Sequence, residues 1–252
     1  MYYIMETNIW VDVTQGKIPC NDLSGKVGAV VVVAPFMIVE LMRATVRGGE
    51  KYFLGDKKMF ECMVRLGILE LTKPFVYKTL WNISNAGTSK VRPETYKTLL
   101  QLMVGSSSFS DFTSTTERPG SVWTRVSEWD SIHEGVLDKE LGALRKIADQ
   151  GSLKSLGVHM AGLYRVGGLL PDPDKFEQVF SAALEYLRSS ARKLRNGANL
   201  AKNDRGMYVD FQIFFYLADP AAVIVSNEDF SGEIAKSPQR SRIISLAQYR
   251  SL

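Results

Sequence analysis

Four consecutive valines at positions 30–33 constrain the fold more than any other feature of this chain. A continuous β-branched run of this kind is typical of a strand in a parallel sheet that is covered on both faces. Other short strand-like runs alternate with helical patterns near the two ends of the chain: Tyr2–Met5, Ile68–Leu71, Ala221–Val225 and Arg242–Leu246. This alternation predicts an α/β fold with a central parallel sheet of about five strands.

Most of the remaining sequence is expected to be helical. Thr7 or Asn8 can cap a short helix after the first strand, and Pro35 suits the first turn of a helix that ends near Gly48. The strongest pattern runs from Asp174 to Asn196, where apolar residues recur at the spacing of one buried helix face. Further helices are predicted at 50–65, 93–103, 122–151, 152–165 and 210–218. Residues 105–121 are rich in Ser, Thr and Gly, and we expect a mobile loop there. The chain is interpreted as one domain, residues 1–252, with a helical insertion at approximately 74–200.

Acidic residues stand at or just beyond the ends of the predicted strands. Glu6 directly follows the first strand, Glu40 lies in the helix after the valine run, and Asp210 opens an apolar helix. The segment 227–229, Asn-Glu-Asp, follows the strand at 221–225. Carboxyl ends of parallel strands share one crevice, and carboxylates that meet there repel each other unless cations hold them. Since such oxygen ligands suit Mg²⁺ or Mn²⁺, the pattern predicts metal-assisted chemistry on a phosphorylated substrate.

Composition excludes several other classes of protein. A hydrophobic content of 45% predicts a packed core rather than a disordered chain. Cys20 and Cys62 are too few for a disulfide framework or a cysteine-based zinc cluster. No run is apolar and long enough to cross a membrane, and Glu6 and Asn8 interrupt what would otherwise be an apolar leader. A soluble protein of the reducing cytoplasm is therefore the expectation, and no nucleotide-binding glycine loop or nucleophilic serine motif is visible.

Four segments, taken in order, resemble the PIN-domain nucleases. Residues 5–10, Met-Glu-Thr-Asn-Ile-Trp, are similar to the family's opening, a strand that ends in Asp-Thr-Asn before an apolar helix. Val39-Glu40-Leu41 resembles its second acidic segment, Val209-Asp210-Phe211 its third, and residues 223–230 its closing strand and turn. The resemblance covers roughly residues 1–72 and 203–252 and leaves the middle of the chain unmatched.

The resemblance implies a PIN-like three-layer fold and a divalent-metal-dependent nuclease. The expected substrate is RNA, single-stranded or structured, which would make the chain an endoribonuclease similar to the toxins of toxin–antitoxin pairs. A protein inhibitor such as an antitoxin and a homodimer are further partners that this family allows, whereas no membrane is expected. The carried-over catalytic set is Glu6, Glu40, Asp210, Asn227 and Asp229, and the expected ligands of Mg²⁺ or Mn²⁺ are Glu6, Glu40, Asp210 and Asp229.

Two departures from the family pattern leave a second hypothesis open. Glu6 is one methylene longer than the usual Asp, and Asn227 is neutral where the family has an acid. The alternative function is a PIN-like scaffold with a degraded site that binds RNA or a protein. Glu228 and Asp229 are equally well explained as ordinary helix-start residues. An N-cap role is the main structural alternative for Asp210, the acid that this kind of explanation fits least.

Basic residues provide a weaker indication of nucleic-acid binding. The expected phosphate contacts are Arg43, Arg47, Arg188, Arg192, Arg195 and Arg205. Three of them, Arg188, Arg192 and Arg195, share a helix face by their spacing of four and three residues. A solvated helix face, with charges that favour the helix C-terminus, is the slightly preferred explanation.

Overall fold

In a computed structural model of the protein, the described residues are 1–24, 30–33, 35–66, 94–116, 146–149, 151–163, 171–196, 210–211 and 213–252. They form an α/β fold around a parallel sheet of four strands: β1 Tyr2–Met5, β2 Val30–Val32, β3 Ala222–Val225 and β4 Ile243–Ile244. This confirms the predicted α/β class and its parallel sheet. The further strand predicted at Ile68–Leu71 lies outside the described residues.

The sheet has the order β2-β1-β3-β4, and every neighbouring pair is parallel. Ile4 of β1 lies opposite Val32 on one side and Ile224 on the other. All four residues of β3 are buried, as are the last three of β1, because helices cover the sheet. The carboxyl ends of β1, β2 and β3 consequently lie along the same edge, which is where the acidic residues were expected to meet.

Ten helices pack around this sheet in the described part of the chain. The first five are α1 Thr7–Thr14, α2 Pro35–Gly48, α3 Glu50–Arg65, α4 Glu94–Gly105 and α5 Phe109–Thr116. The others are α6 Leu153–Leu163, α7 Pro173–Val179, α8 Ser181–Arg195, α9 Phe230–Glu233 and α10 Leu246–Ser251. Short 3₁₀ helices span Cys20–Leu23, Phe214–Ala218 and Arg240–Arg242.

The start of α1 differs from the prediction. Glu6, rather than Thr7 or Asn8, is the N-cap, and its Oε1 accepts a hydrogen bond of 3.0 Å from the backbone N–H of Asn8. Thr7 and Asn8 are therefore the first two residues of the helix, and their side chains are available for other contacts.

Residues 105–121 were wrongly predicted to form a loop throughout. Phe109–Thr116 is helical, because Phe112 is fully buried and Phe109 packs edge-on against Phe53 at 6.2 Å between ring centroids. The backbone N–H of Ser107 donates to the Asp111 carboxylate at 2.8 Å and helps to organise the start of the helix. Burial of Phe112 and partial burial of Phe109 outweigh the polar composition on which the prediction relied.

The single helix predicted from Asp174 to Asn196 is also wrong, because it is broken into α7 and α8. Asp172 is the N-cap of α7, and its carboxylate accepts from the N–H groups of Asp174 and Lys175. The interruption falls at Phe180, whose ring lies 4.8 Å from Phe176 and 4.9 Å from Phe215. The buried segment predicted as a helix at 210–218 becomes a 3₁₀ helix from Phe214, and the last predicted strand shortens to Ile243–Ile244 before α10.

Cys20 and Cys62 form a disulfide bond that joins the 3₁₀ segment after α1 to α3. The bond does not fit the reducing compartment that the low cysteine count led us to expect, since disulfides are rare there. No helix in the described ranges has both the length and the apolar character needed to span a lipid bilayer.

Candidate functional site

Four carboxyl groups from separate segments interact with each other at the carboxyl edge of the sheet. The Glu6 side chain is close enough to Asp210, Glu228 and Glu40 for their negative charges to raise its pKa. The Asp210 side chain responds in the same way to Glu228 and Glu40. The structure thus brings together Glu6, Glu40 and Asp210, which the sequence predicted, and adds Glu228.

Glu6 lies at the centre of this acidic cluster, by which we mean Glu6, Glu40, Asp210 and Glu228. It follows β1 directly and is only 2% exposed. Burial, followed by the charges of its acidic neighbours, raises the pKa of Glu6 to about 8, although the hydrogen bond from the Asn8 backbone opposes the increase. Its Oε2 is buried and has no hydrogen-bond partner among the described residues. Such an oxygen requires a proton or a cation as a partner.

Two side chains at the start of α1 hold two of the other acids. The Thr7 hydroxyl donates to Glu40 Oε2 at 2.7 Å, and the Asn8 amide nitrogen donates to Glu228 Oε1. Glu40 projects from the second turn of α2, whereas Glu228 follows β3. The first turn of α1 therefore connects acids from two other parts of the fold. The positive end of the α1 dipole also favours negative charge at this position.

Asp210 receives a hydrogen bond from a residue that the sequence analysis did not identify. The Tyr186 hydroxyl of α8 donates to Asp210 Oδ2 at 3.0 Å. Burial and the charges of Glu228 and Glu40 raise the pKa of Asp210 to about 7, and the hydrogen bond from Tyr186 opposes that increase. Burial and the Asp210 charge raise the pKa of Tyr186 as well, so the phenol remains a proton donor.

Asn227 and Asp229, which the sequence predicted as site residues, are not members of the acidic cluster. Asn227 is exposed at the tip of the turn after β3. Asp229 is the N-cap of α9, where its Oδ1 accepts from the N–H of Gly232 at 3.1 Å and from the Ser231 hydroxyl at 3.0 Å. These hydrogen bonds lower the pKa of Asp229. The neighbouring Glu228 is the residue of this turn whose charge acts on Glu6 and Asp210.

The predicted phosphate contacts are only partly described. Arg205 lies outside the described residues, as do the side chains of Arg43, Arg47 and Arg195, although the last three positions belong to α2 and α8. Arg188 is half-buried and Arg192 is exposed on α8, but neither shares a helix face with Tyr186, from which they lie two and six residues away. Lys193, seven residues from Tyr186, does share that face and is ion-paired with Glu233 of α9.

The acidic cluster has the ligand chemistry of a hard divalent cation, but its present spacing is wider than a coordination sphere. Carboxylate oxygens are the ligands that Mg²⁺ and Mn²⁺ prefer, and Glu6 Oε2 has no other described partner. Within the described part of the chain, however, no three His, Cys, Asp or Glu side chains are grouped closely enough to hold a metal. Cation binding would therefore require some of these carboxylates to move toward one another.

Comparison with known proteins leaves the site to be interpreted from its own geometry. No family model, curated protein or solved structure matches the chain.

Proposed function

We propose that this protein is a PIN-like endoribonuclease that hydrolyses RNA phosphodiester bonds with the help of Mg²⁺ or Mn²⁺. The observation that supports the proposal best is the assembly of four carboxyl groups, from four separate segments, around a buried oxygen of Glu6 that has no described partner. Folding brings these groups together although burial, and after it their mutual repulsion, raises the pKa values of Glu6 and Asp210. A cation would remove that repulsion.

The residues that would hold the cation are Glu6, Glu40, Asp210 and Glu228. This set differs from the sequence-based prediction in one position, because Glu228 replaces Asp229 as the acid after β3. A divalent ion bound by these residues would supply an activated water and shield charge on the phosphoryl oxygens. The chain itself contributes the donors that fix the acids: Thr7 for Glu40, Asn8 for Glu228 and Tyr186 for Asp210.

The finer fold assignment belongs to the same proposal. A PIN-like domain would place a fifth strand, at Ile68–Leu71, in the sheet whose four described strands have the order β2-β1-β3-β4. The support for this assignment is that acids from the segments resembling the family's first, second and third acidic motifs interact in space.

A second candidate function is a scaffold that binds RNA or a protein without cleaving it. The observation that favours this alternative is the wide spacing of the acidic cluster, in which no described group of three ligands is ready to hold a metal. On this alternative, protons alone would neutralise Glu6 and Asp210, and the raised pKa values would be the consequence of a site that has lost its cation.

Calorimetric titration with Mn²⁺ distinguishes the two functions. We expect the wild-type protein to bind Mn²⁺ and to cleave a labelled single-stranded RNA only when the metal is present. Asp210→Asn should abolish both properties while leaving the thermal stability of the metal-free protein undiminished, because the substitution removes one of the repelling charges. Asp229→Asn is the matched control: Asn also caps helices well, so metal binding and cleavage should persist.

Two results would contradict the nuclease proposal. The first is a wild-type protein that binds no Mn²⁺ at millimolar concentration, which would favour the scaffold. The second is a metal-dependent cleavage activity that Asp210→Asn leaves unchanged, which would place the chemistry elsewhere in the chain.

A further inference from the structure

Tyr186 connects the helical insertion to the acidic cluster. It lies on α8, within the part of the chain for which no resemblance to a known family was found. Its ring stacks on Phe214 at 4.6 Å between centroids and meets the edge of Phe230 at 5.8 Å, so the side chain is held from two directions. Only 6% of the residue is exposed.

The phenol oxygen takes part in two hydrogen bonds. Its proton is donated to Asp210 Oδ2 at 3.0 Å, and the Ser190 side chain, one turn later on α8, hydrogen-bonds to the same oxygen. Because Phe214 and Phe230 pack against the ring, the hydroxyl group keeps its position even when the Asp210 carboxylate rotates. The orientation of the Asp210 carboxylate is thus determined by a residue on a different element of the fold.

The orientation of the Asp210 carboxylate is important because neighbouring negative charges repel it. Glu228 and Glu40 both act on it with negative charge. A carboxylate in such a field turns toward any other available donor unless a fixed one holds it. Tyr186 provides that fixed donor and leaves Oδ1 of Asp210 without a hydrogen bond from the phenol.

We infer that Tyr186 is a positioning residue for metal binding: its hydroxyl occupies Oδ2 of Asp210, so that Oδ1 is the oxygen presented to the cation. This inference rests on the proposed metal-dependent function and extends it to the insertion, which thereby completes the site. Tyr186 itself contacts neither the metal nor the substrate. Its role resembles that of the outer groups that orient ligating side chains in many metal sites.

The simpler explanation is that a buried phenol has used the nearest acceptor and contributes only to packing. A Tyr186→Phe substitution separates the two explanations, because it keeps the ring between Phe214 and Phe230 and removes only the hydroxyl. Tyr249→Phe is the matched control: that tyrosine is also buried, and its hydroxyl donates to the Leu23 carbonyl oxygen at 3.2 Å, among residues that do not belong to the acidic cluster.

The experiment measures Mn²⁺ affinity by calorimetry and RNA cleavage by the full-length variants. In Tyr186→Phe we expect Mn²⁺ affinity to fall at least about 10-fold, as is usual when a residue that orients a ligand is removed. At saturating metal, kcat should fall while the KM for RNA stays the same, because Tyr186 does not contact RNA. Both quantities should remain at wild-type values in Tyr249→Phe.

Each outcome is decisive. Equal Mn²⁺ affinities for Tyr186→Phe and Tyr249→Phe would overturn the inference and leave the proposed function intact, provided that the wild-type protein binds the metal. A wild-type protein that binds no Mn²⁺ would overturn both. If Tyr186→Phe fails to fold, Ser190→Ala provides the test, since it keeps the phenol in place and removes its second hydrogen bond. A loss of Mn²⁺ affinity of about 3-fold or more would then support the inference, and an unchanged affinity would overturn it.

Discussion

Replacing Glu6 with glutamine should stabilise the metal-free protein at neutral pH but not in acid. The reason is the proton that the folded state holds. The pKa of Glu6 is about 8 in the folded protein and 4.5 for an ordinary glutamate. Between these two pH values the native state keeps a proton that the unfolded chain has released, so its stability falls as the pH rises through this window. Below about pH 4 both states are protonated and the cost disappears.

The expected size of the effect follows from the same pKa values. At 1.36 kcal/mol for each pKa unit, the Glu6 carboxyl group costs the folded state about 3 kcal/mol at pH 7 and about 5 kcal/mol above pH 8. Glutamine removes this cost and its Oε1 can still accept from the Asn8 backbone. Its amide N–H groups must find acceptors among the acidic neighbours, and imperfect pairing would cost about 1 kcal/mol. We therefore expect a net gain of about 2 kcal/mol at pH 7, or about 4–8 °C in Tm for a chain of this length.

The measurement is urea unfolding in the presence of a chelator at several pH values between about 4 and 9. Glu61→Gln is the control, because Glu61 is a half-exposed acid on α3 that pairs with Lys57 at 3.9 Å. That variant should differ little from the wild type at any pH, since exposed ion pairs contribute at most about 1 kcal/mol. The reasoning would be refuted if the difference between Glu6→Gln and the wild type did not grow with pH. It would also be refuted if saturating Mn²⁺ stabilised Glu6→Gln as strongly as the wild type.

Two further predictions concern the framework around the acidic cluster. The Cys20–Cys62 bond closes a loop with a sequence separation of 42 residues, so reduction, or the paired replacement of both cysteines by serine, should lower the free energy of unfolding by about 4 kcal/mol. An unchanged urea midpoint in reducing buffer would show that the bond does not form in solution. Arg242 donates to the carbonyl oxygens of Leu217, Asp219 and Ala222, so Arg242→Met should cost about 2–3 kcal/mol by removing these hydrogen bonds. Arg250→Met, which removes only an exposed ion pair with Asp22, should cost less than about 1 kcal/mol, and equal losses in the two variants would contradict the argument.

The parts of this fold that the sequence predicted correctly are those with a local physical cause. The valine run has few alternatives to a buried strand, and parallel strands necessarily bring their carboxyl ends to one edge, so Glu6 could be placed near Glu40 before any coordinates were known. The N-cap role of Asp229 also has a local cause, because Asp is a preferred N-cap residue. Its side chain can accept a hydrogen bond from the backbone N–H of the second or third residue of the helix. That signal would have favoured Glu228 over Asp229 as the acid that remains available to the cluster.

The features that the sequence did not predict depend on residues far apart in the chain. The break between α7 and α8 leaves polar backbone groups that must be paired. Gln239 supplies the partners: its Oε1 accepts from the N–H of Ala182 at 3.1 Å, and its Nε2 donates to the carbonyl oxygen of Val179 at 3.0 Å. The two contacts join residues that are 57 and 60 positions apart in the sequence. The pattern of residues within α7 and α8 therefore could not predict the interruption of the helix.

The same break has a consequence for the acidic cluster. A continuous helix from Asp174 to Asn196 would keep one buried face throughout, and Tyr186 does not belong to the apolar positions that predicted that face. Once the chain restarts at Ser181, α8 turns Tyr186 toward Phe214, Phe230 and Asp210. Tyr186 gives Asp210 a hydrogen-bond donor that stays available even when the acids of the cluster are ionised, because ionised carboxylates only accept hydrogen bonds. The interruption at Phe180 thus separates α7 from α8, the helix whose Tyr186 donates to Asp210.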